Sequence, residues 1–258
     1  MINFKKLAII GSRGMVGSDL VKHLKQNFEI TQIDRDNYDQ YKGKSFDVVV
    51  NANGNSNKVW ANENRLGDFE ASTISVYKSL VDFPCKLYIY ISTFDVYENH
   101  NGEKEEDLIN IEKLAPYGLH KLLAELIIRN FTKNYIILRC PMMLGSKLRK
   151  GPIFDILNNS RLYISKDSSF QMITTEELAK IMFSLIEKNV RGEIFNAGGS
   201  GTVEFRDLEN YIGKSVNFPK DGKIHTYKTD VSKLNKIFPL KSSEEYLKDY
   251  LKKDIIKA

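Results

Sequence analysis

The chain has 258 residues, 42% hydrophobic and 28% charged, which is ordinary for a globular protein and long enough to bury a full core. Its 38 basic and 33 acidic residues leave a formal charge of +5, spread without any block of Lys or Arg interleaved with aromatics; nucleic acid is not indicated, while a mildly basic surface suits an anionic small substrate. No apolar run approaches the roughly 18 residues of a membrane span, and two distant cysteines, Cys85 and Cys140, with no Cys-x-x-Cys spacing and no His cluster, point away from a metal site and toward a reducing cytoplasm.

Residues 6–10 read as a first strand, since this apolar run leads directly into a glycine loop and not into the small-residue cleavage site of a signal peptide. Residues 15–25 carry helical apolar spacing at Val16, Leu20, Val21 and Leu24, and 29–33 read as a second strand, completing a βαβ unit. The runs at 47–50 and 87–91 have no polar face, as expected of strands covered on both sides in a parallel sheet. Between them the Asn-rich stretch 51–57 reads as a loop and 66–83 as a crossover helix; 117–131 is a further helix and 135–138 the strand after it. This alternation predicts a Rossmann-type, doubly wound α/β sheet whose ligands lie beyond the carboxyl ends of the strands.

After Arg139-Cys140-Pro141 the elements shorten. A basic loop at 145–151 precedes a helix at 152–157, a strand at 161–164, a helix at 176–188, a strand at 193–196 and helices at 204–211 and 242–253. The expected division is a cofactor-binding domain over 1–145 and a small C-terminal substrate lobe over 146–258, with the chain crossing back to the sheet.

Gly11, Gly14 and Gly17 stand between a strand and a helix, the setting in which backbone approaches a pyrophosphate and a helix N-terminus receives its charge; Arg13, Met15 and Val16 belong to the same loop. Asp34, at the end of the second strand, is placed to accept hydrogen bonds from an adenine ribose, or else to act as a turn residue. Arg13 and Arg35 can clamp a ribose 2′-phosphate or stand as solvated surface, so the cofactor reads as NADP or NAD with NADP slightly favoured. Tyr117 and Lys121 are four apart on one helix face, and a nearby ammonium lowers a phenol's pKa, so the pair reads as a proton donor with its tuning cation. Thr93 ends the preceding strand, where its hydroxyl can bond the same substrate oxygen.

These landmarks resemble the extended short-chain dehydrogenase/reductase superfamily, in its sugar-nucleotide epimerase, dehydratase and reductase branch. The likeness rests on the loop 11–17, Asn51-Ala52, Ser92-Thr93 leading to Val96-Tyr97, and Pro116-Tyr117-Gly118 with Lys121 and Glu125. It continues through Leu138-Arg139 to Gly145, Glu177-Leu178-Ala179 and Phe195-Asn196-Ala197-Gly198, so it covers nearly the whole chain. It implies that Thr93, Tyr117 and Lys121 are the catalytic set, with Lys121 also holding the nicotinamide ribose. It further implies that Ser92, the segment Ala52, Asn53 and Gly54, and Pro141 with Met142 lie along the cofactor. A nucleotide-sugar substrate and a homodimer through the helix 117–131 follow from the same likeness. The implied reaction is reduction of a 4-keto sugar, with 4-epimerisation as the alternative and a cofactor-binding regulator without turnover as the rival from another class.

Two departures refine this expectation. Dehydratases of the branch carry an Asp-Glu pair after the catalytic threonine, whereas this chain has Phe94-Asp95; Phe94 removes the acid that water elimination needs. Asp95 stands where relatives carry a proton-abstracting residue, and reads either as a base toward the sugar ring or as a loop carboxylate. The basic loop residues Lys147, Arg149 and Lys150 either meet a substrate diphosphate or are solvated, and His120 is expected to face away from Tyr117.

Overall fold

The computed structural model describes residues 4–255. In chain order its strands are β1 (Lys6–Ile10), β2 (Glu29–Ile33), β3 (Phe46–Asn51), β4 (Cys85–Thr93), β5 (Asn101–Glu103), β6 (Tyr135–Cys140), β7 (Met142–Leu144), β8 (Ser169–Phe170), β9 (Met172–Thr174), β10 (Glu193–Asn196), β11 (Val203–Glu204) and β12 (Thr226–Thr229). Six of them form one parallel sheet in the order β10-β6-β4-β3-β1-β2. The order reverses beside β1, so the connections leaving the paired strands β1 and β3 run to opposite faces of the sheet and a crevice opens at their carboxyl ends.

Alternate residues of each strand feed two cores. Leu7, Ile9, Val48, Val50, Leu87 and Ile89 pack under the helices Met15–Leu24 and Thr175–Glu187, while Ala8, Val49, Tyr88, Tyr90 and Ile137 pack under Ser75–Asp82 and Pro116–Phe131. Both faces being covered explains why these strands are apolar throughout. The short strands lie apart: β11-β8-β12-β5 form a small sheet, and β7 pairs with β9. A third core, with Ile153, Ile156, Phe170, Phe205 and Leu247, holds this lobe together.

Three expectations need correction. The single helix expected over 66–83 is broken into Arg65–Phe69, a π-helical turn at Glu70–Ile74, and Ser75–Asp82. That turn carries the buried residues Ser72 and Thr73, and the Thr73 hydroxyl donates to the His120 carbonyl at 2.9 Å, tying the two helices together. The strand expected at 161–164 is reduced to one bridge, Ile164 to Lys223, because β8 rather than this segment pairs with β12. The helix expected over 204–211 is a 3₁₀ turn, Phe205–Asp207, leading into Leu208–Ile212.

Candidate active site

The glycine loop is built by close approach. Gly11 has φ of +79°, and a methyl on Gly17 would stand 2.1 Å from the Gly11 carbonyl oxygen, so the helix can start this near the strand only with glycine at both places. Gly14 caps the helix with no side chain to occupy its first N–H groups, which leaves the positive end of a ten-residue helix facing the crevice. A groove of about 910 Å³ runs from there, lined by Gly11, Gly14, Asp34, Arg35, Ala52, Asn53, Gly54 and Trp60 among others. Seven predicted cofactor residues thus share one groove. These features fit a dinucleotide.

The remaining cofactor predictions are placed differently. Gly17 serves the helix-to-strand approach, Val16 packs on the core and Met15 lies against Gly145. Met142 packs on the apolar core of the lobe, and Pro141 packs near Gly198 beside Phe94, which is itself buried. The Ser92 hydroxyl donates to Glu125. Asp34 accepts the Ser12 hydroxyl and the Arg13 N–H, the latter at 3.1 Å, and the Arg13 guanidinium bonds Asp36. Arg13 is thereby committed to a neighbour, while Arg35 lines the groove.

The basic loop after β7 reaches over this region. Asp19, on the glycine-loop helix, accepts the Ser146 N–H at 2.9 Å and the Thr175 hydroxyl at 2.6 Å, and those hydrogen bonds outweigh burial to hold its carboxyl below the usual range. Lys147 then donates to the Arg13 carbonyl at 3.3 Å and Lys150 to the Ser56 carbonyl at 2.8 Å. Arg149 is exposed.

At the carboxyl end of β4 the structure brings Thr93, Asp95, Tyr117 and Lys121 together. The Thr93 hydroxyl donates to Asp95 at 2.9 Å and bears on the Tyr117 phenol. Lys121 is 5% exposed; its ammonium lies over the Tyr90 ring, 5.2 Å from the centroid, and 2.9 Å from where a Cβ on Gly54 would stand. Glycine at 54 therefore keeps the cofactor groove open to the ammonium. Burial lowers the Lys121 pKa to about 8, against the pull of Asp68, Cys140 and Glu125. Burial, joined by the charge of Asp95 and Asp68, raises the Tyr117 phenol above its usual range, with the Thr93 hydrogen bond opposing. The lowering expected of Lys121 is not seen: the phenol has left water and faces carboxylates.

Several partners lie outside the sequence expectation. Asp95 also accepts from Lys58 at 2.6 Å and from the Tyr227 hydroxyl at 3.0 Å. His120 is turned from Tyr117 but is not idle: its Nδ1 pairs with buried Asp68 at 2.6 Å, and Asp68 also accepts from Asn55 at 2.8 Å. Behind the site, Arg139 holds Glu125 through Nε and Nη2 and donates to the Tyr97 hydroxyl at 2.7 Å; that hydroxyl in turn donates to Asn196 at 2.9 Å.

A dinucleotide-binding α/β fold with a threonine, tyrosine and lysine at the end of its fourth strand defines a class of proteins, and the sequence places this chain within it. The model of the NAD dependent epimerase/dehydratase family matches residues 7–198, and the chain belongs to that family. No curated protein matches the sequence. Among solved structures the fold is similar to a dTDP-4-dehydrorhamnose reductase ortholog from Clostridium acetobutylicum, at 19% identity and a TM-score of 0.81 over 98% of this chain and 100% of that one. It is similar to the same enzyme from Bacillus anthracis in complex with NADP, at 15% identity and 0.81 over 99% and 100%. It is similar, too, to UDP-glucuronic acid 4-epimerase from Bacillus cereus in complex with NAD, at 22% identity and 0.78 over 96% of each chain.

Proposed function

We propose that this protein is an NAD(P)-dependent oxidoreductase that reduces the 4-keto group of a nucleotide-activated sugar. The carrying observation is the meeting of Thr93, Tyr117 and Lys121 beside a groove that fits a dinucleotide. A regulator needs the groove but not a phenol beside a strand-end hydroxyl. When bound, the nicotinamide supplies the hydride for the keto carbon. Tyr117 gives its proton to the sugar oxygen and is left as phenolate; its raised pKa keeps it protonated at neutral pH, the form a donor needs. Lys121, with a pKa of about 8, is mostly charged at neutral pH and is placed to hold a ribose hydroxyl through Gly54's open side. Asp34 and Arg35 take the adenosine end, and Lys147 and Lys150 offer charge to phosphate groups.

The substrate class is supported by the reductases and epimerases among the structural neighbours, which act on dTDP- and UDP-linked sugars. A homodimer fits the exposed apolar face formed by Tyr77, Val81, Leu126 and Phe131, and a cytoplasmic setting fits two free cysteines. Among the described residues no helix is long and apolar enough to cross a membrane.

Epimerisation is the second reading, favoured by the 4-epimerases among the neighbours. Net cofactor use separates the two. A nucleotide-linked 4-keto sugar mixed with NADPH or NADH should lose reduced cofactor, followed at its absorbance, in step with the keto group. Interconversion of 4-epimers without net cofactor oxidation would replace the reductase reading with the epimerase.

A further inference from the structure

The Asn-rich stretch 51–57 forms part of the groove wall, and its own side chains set its shape. Asn51, fully buried at the end of β3, donates from its amide to the Ser79 hydroxyl at 3.0 Å and the Tyr88 hydroxyl at 2.8 Å, and its side-chain oxygen accepts the Asn53 N–H at 3.0 Å. The Asn55 side chain accepts the Asn57 N–H at 2.7 Å and donates to the Asn57 carbonyl at 2.8 Å. Asn57 in turn caps the helix Lys58–Glu63 by accepting the Trp60 N–H at 3.1 Å. Between these anchors Ala52, Asn53, Gly54 and Asn55 line the groove.

One bond leaves this local set: the Asn55 amide donates to Asp68 at 2.8 Å. Asp68 is fully buried, and its other carboxylate oxygen pairs with Nδ1 of His120 at 2.6 Å; a carboxylate only accepts, so Nδ1 carries the proton. His120 is 8% exposed and is held twice, its ring edge-on to Phe69 with centroids 5.5 Å apart and its carbonyl by the Thr73 hydroxyl at 2.9 Å. Thr73 belongs to the π-helical turn, a form common at functional sites, and that turn meets the same wall: Ser72 donates to Asp68 at 3.4 Å, while Glu70 and Ala71 line the groove.

His120 directly precedes Lys121, whose ammonium stands 2.9 Å from where a Cβ on Gly54 would be. A closed path therefore runs from Lys121 through His120, Asp68 and Asn55 to Gly54, and back across the groove edge to the ammonium. A carboxylate buried only to join two helices would have both oxygens within them. Asp68 instead turns one oxygen to a loop residue that lines the groove.

We propose that Asp68 and His120 are positioning residues for the nicotinamide-ribose half of the cofactor: His120 orients the Asp68 carboxylate, and Asp68, through Asn55, holds the Gly54 wall at the spacing from Lys121 that a ribose needs. The inference rests on the reading of the groove as the cofactor's. The adenosine end, at Asp34 and Arg35, lies outside the path. Cutting the path should therefore weaken the half of the dinucleotide beside Lys121 and spare the other half.

The test is binding: fluorescence titration of NADPH and NADH, and calorimetry of their adenosine half with adenosine 2′,5′-bisphosphate and ADP. In His120→Leu, which removes the donor, Kd for the reduced cofactor should rise about tenfold, the worth of a buried hydrogen bond to a charged group, with the adenosine half held within a few fold. His120→Asn, whose amide nitrogen falls near the place of Nδ1, should bring the affinity back to within a few fold of the unaltered protein. The double variant His120→Leu with Asp68→Leu leaves no buried carboxylate unpaired; it should regain stability relative to His120→Leu, yet not regain affinity. In keto-sugar reduction the loss should appear in KM for the reduced cofactor, with kcat at saturation within a few fold. Unchanged cofactor affinity in His120→Leu overturns the proposal. Equal weakening of dinucleotide and adenosine half overturns it too, and so does recovery of affinity together with stability in the double variant, since each reports a role in the fold alone. If His120→Leu does not fold, Asn55→Ala cuts the same path at a half-buried loop residue, and unchanged affinity there overturns the proposal. Absence of dinucleotide binding by the unaltered protein overturns the cofactor reading along with it, whereas binding that these variants leave unchanged overturns the proposal alone.

Discussion

Ser92 and Thr93 are consecutive on β4, yet they enter two polar clusters of opposite character. Ser92 joins Glu125, Arg139, Tyr97 and Asn196, an interior network in which a buried carboxylate is held bidentately by a buried guanidinium. Thr93 bonds Asp95 beside Tyr117 at the crevice, where Lys121 has its ammonium buried with no carboxylate among the described residues in hydrogen-bonding contact. Successive strand residues point to opposite faces, so one residue of displacement separates a cluster that is internally satisfied from one that keeps its proton for a ligand. The first is expected to contribute stability and the second to forgo some of it for chemistry.

Arg139→Ala should break the first cluster most severely. Glu125 would be left as a buried, unpaired carboxylate, and the expected loss is about 3–5 kcal/mol in denaturant unfolding. A loss below about 1 kcal/mol would mean that water reaches Glu125 and that the clusters are less different than the hydrogen bonds indicate.

In the second cluster the sign reverses. Lys121→Met should abolish turnover yet stabilise the fold by about 1 kcal/mol, since it replaces a buried ammonium by an apolar chain of similar length. The pH dependence follows from the lowered pKa of about 8 against an ordinary 10.5. Below pH 8 the lysine is charged in both folded and unfolded chains and its burial cost is full; between about 8 and 10.5 that cost fades. The gain from Lys121→Met should accordingly be largest at neutral pH and shrink toward pH 10.5, which unfolding midpoints across that range will show.

The smallest effect concerns the adenosine end. Arg13 is 66% exposed and drawn to Asp36, whereas Arg35 lines the groove. Arg35→Ala should weaken NADPH relative to NADH by a few fold, and Arg13→Ala should change the ratio little, as fluorescence titration of the two reduced cofactors will reveal; an exposed ion pair is worth up to about 1 kcal/mol. The opposite ranking would restore Arg13 as the residue that meets a 2′-phosphate.

The sheet, the glycine loop and the Tyr117 helix were legible because each is written in a few neighbouring residues: apolar runs, glycines between strand and helix, a tyrosine and lysine four apart. Thr93 could be added because it ends a strand. The partners of Asp95 could not, since Lys58 and Tyr227 are 169 positions apart and meet only once the lobe has folded onto the sheet. The π-helical turn was hidden for a related reason. Its apolar spacing reads as continuous helix, and the bond from Thr73 to the His120 carbonyl exists only after two helices pack. The family likeness places Ser92 along the cofactor, whereas its hydroxyl donates to Glu125, a partner 33 positions away.

The central claim is that Tyr117 is the proton donor of a keto-sugar reductase, and Tyr117→Phe tests it most directly through two readouts on the same preparation. Oxidation of NADPH or NADH by a nucleotide-linked 4-keto sugar should fall by about a hundredfold or more, the usual worth of a positioned acid. Cofactor affinity, measured by fluorescence titration, should stay within a few fold because the ring and its packing remain. Turnover at the unaltered rate in Tyr117→Phe would contradict the account.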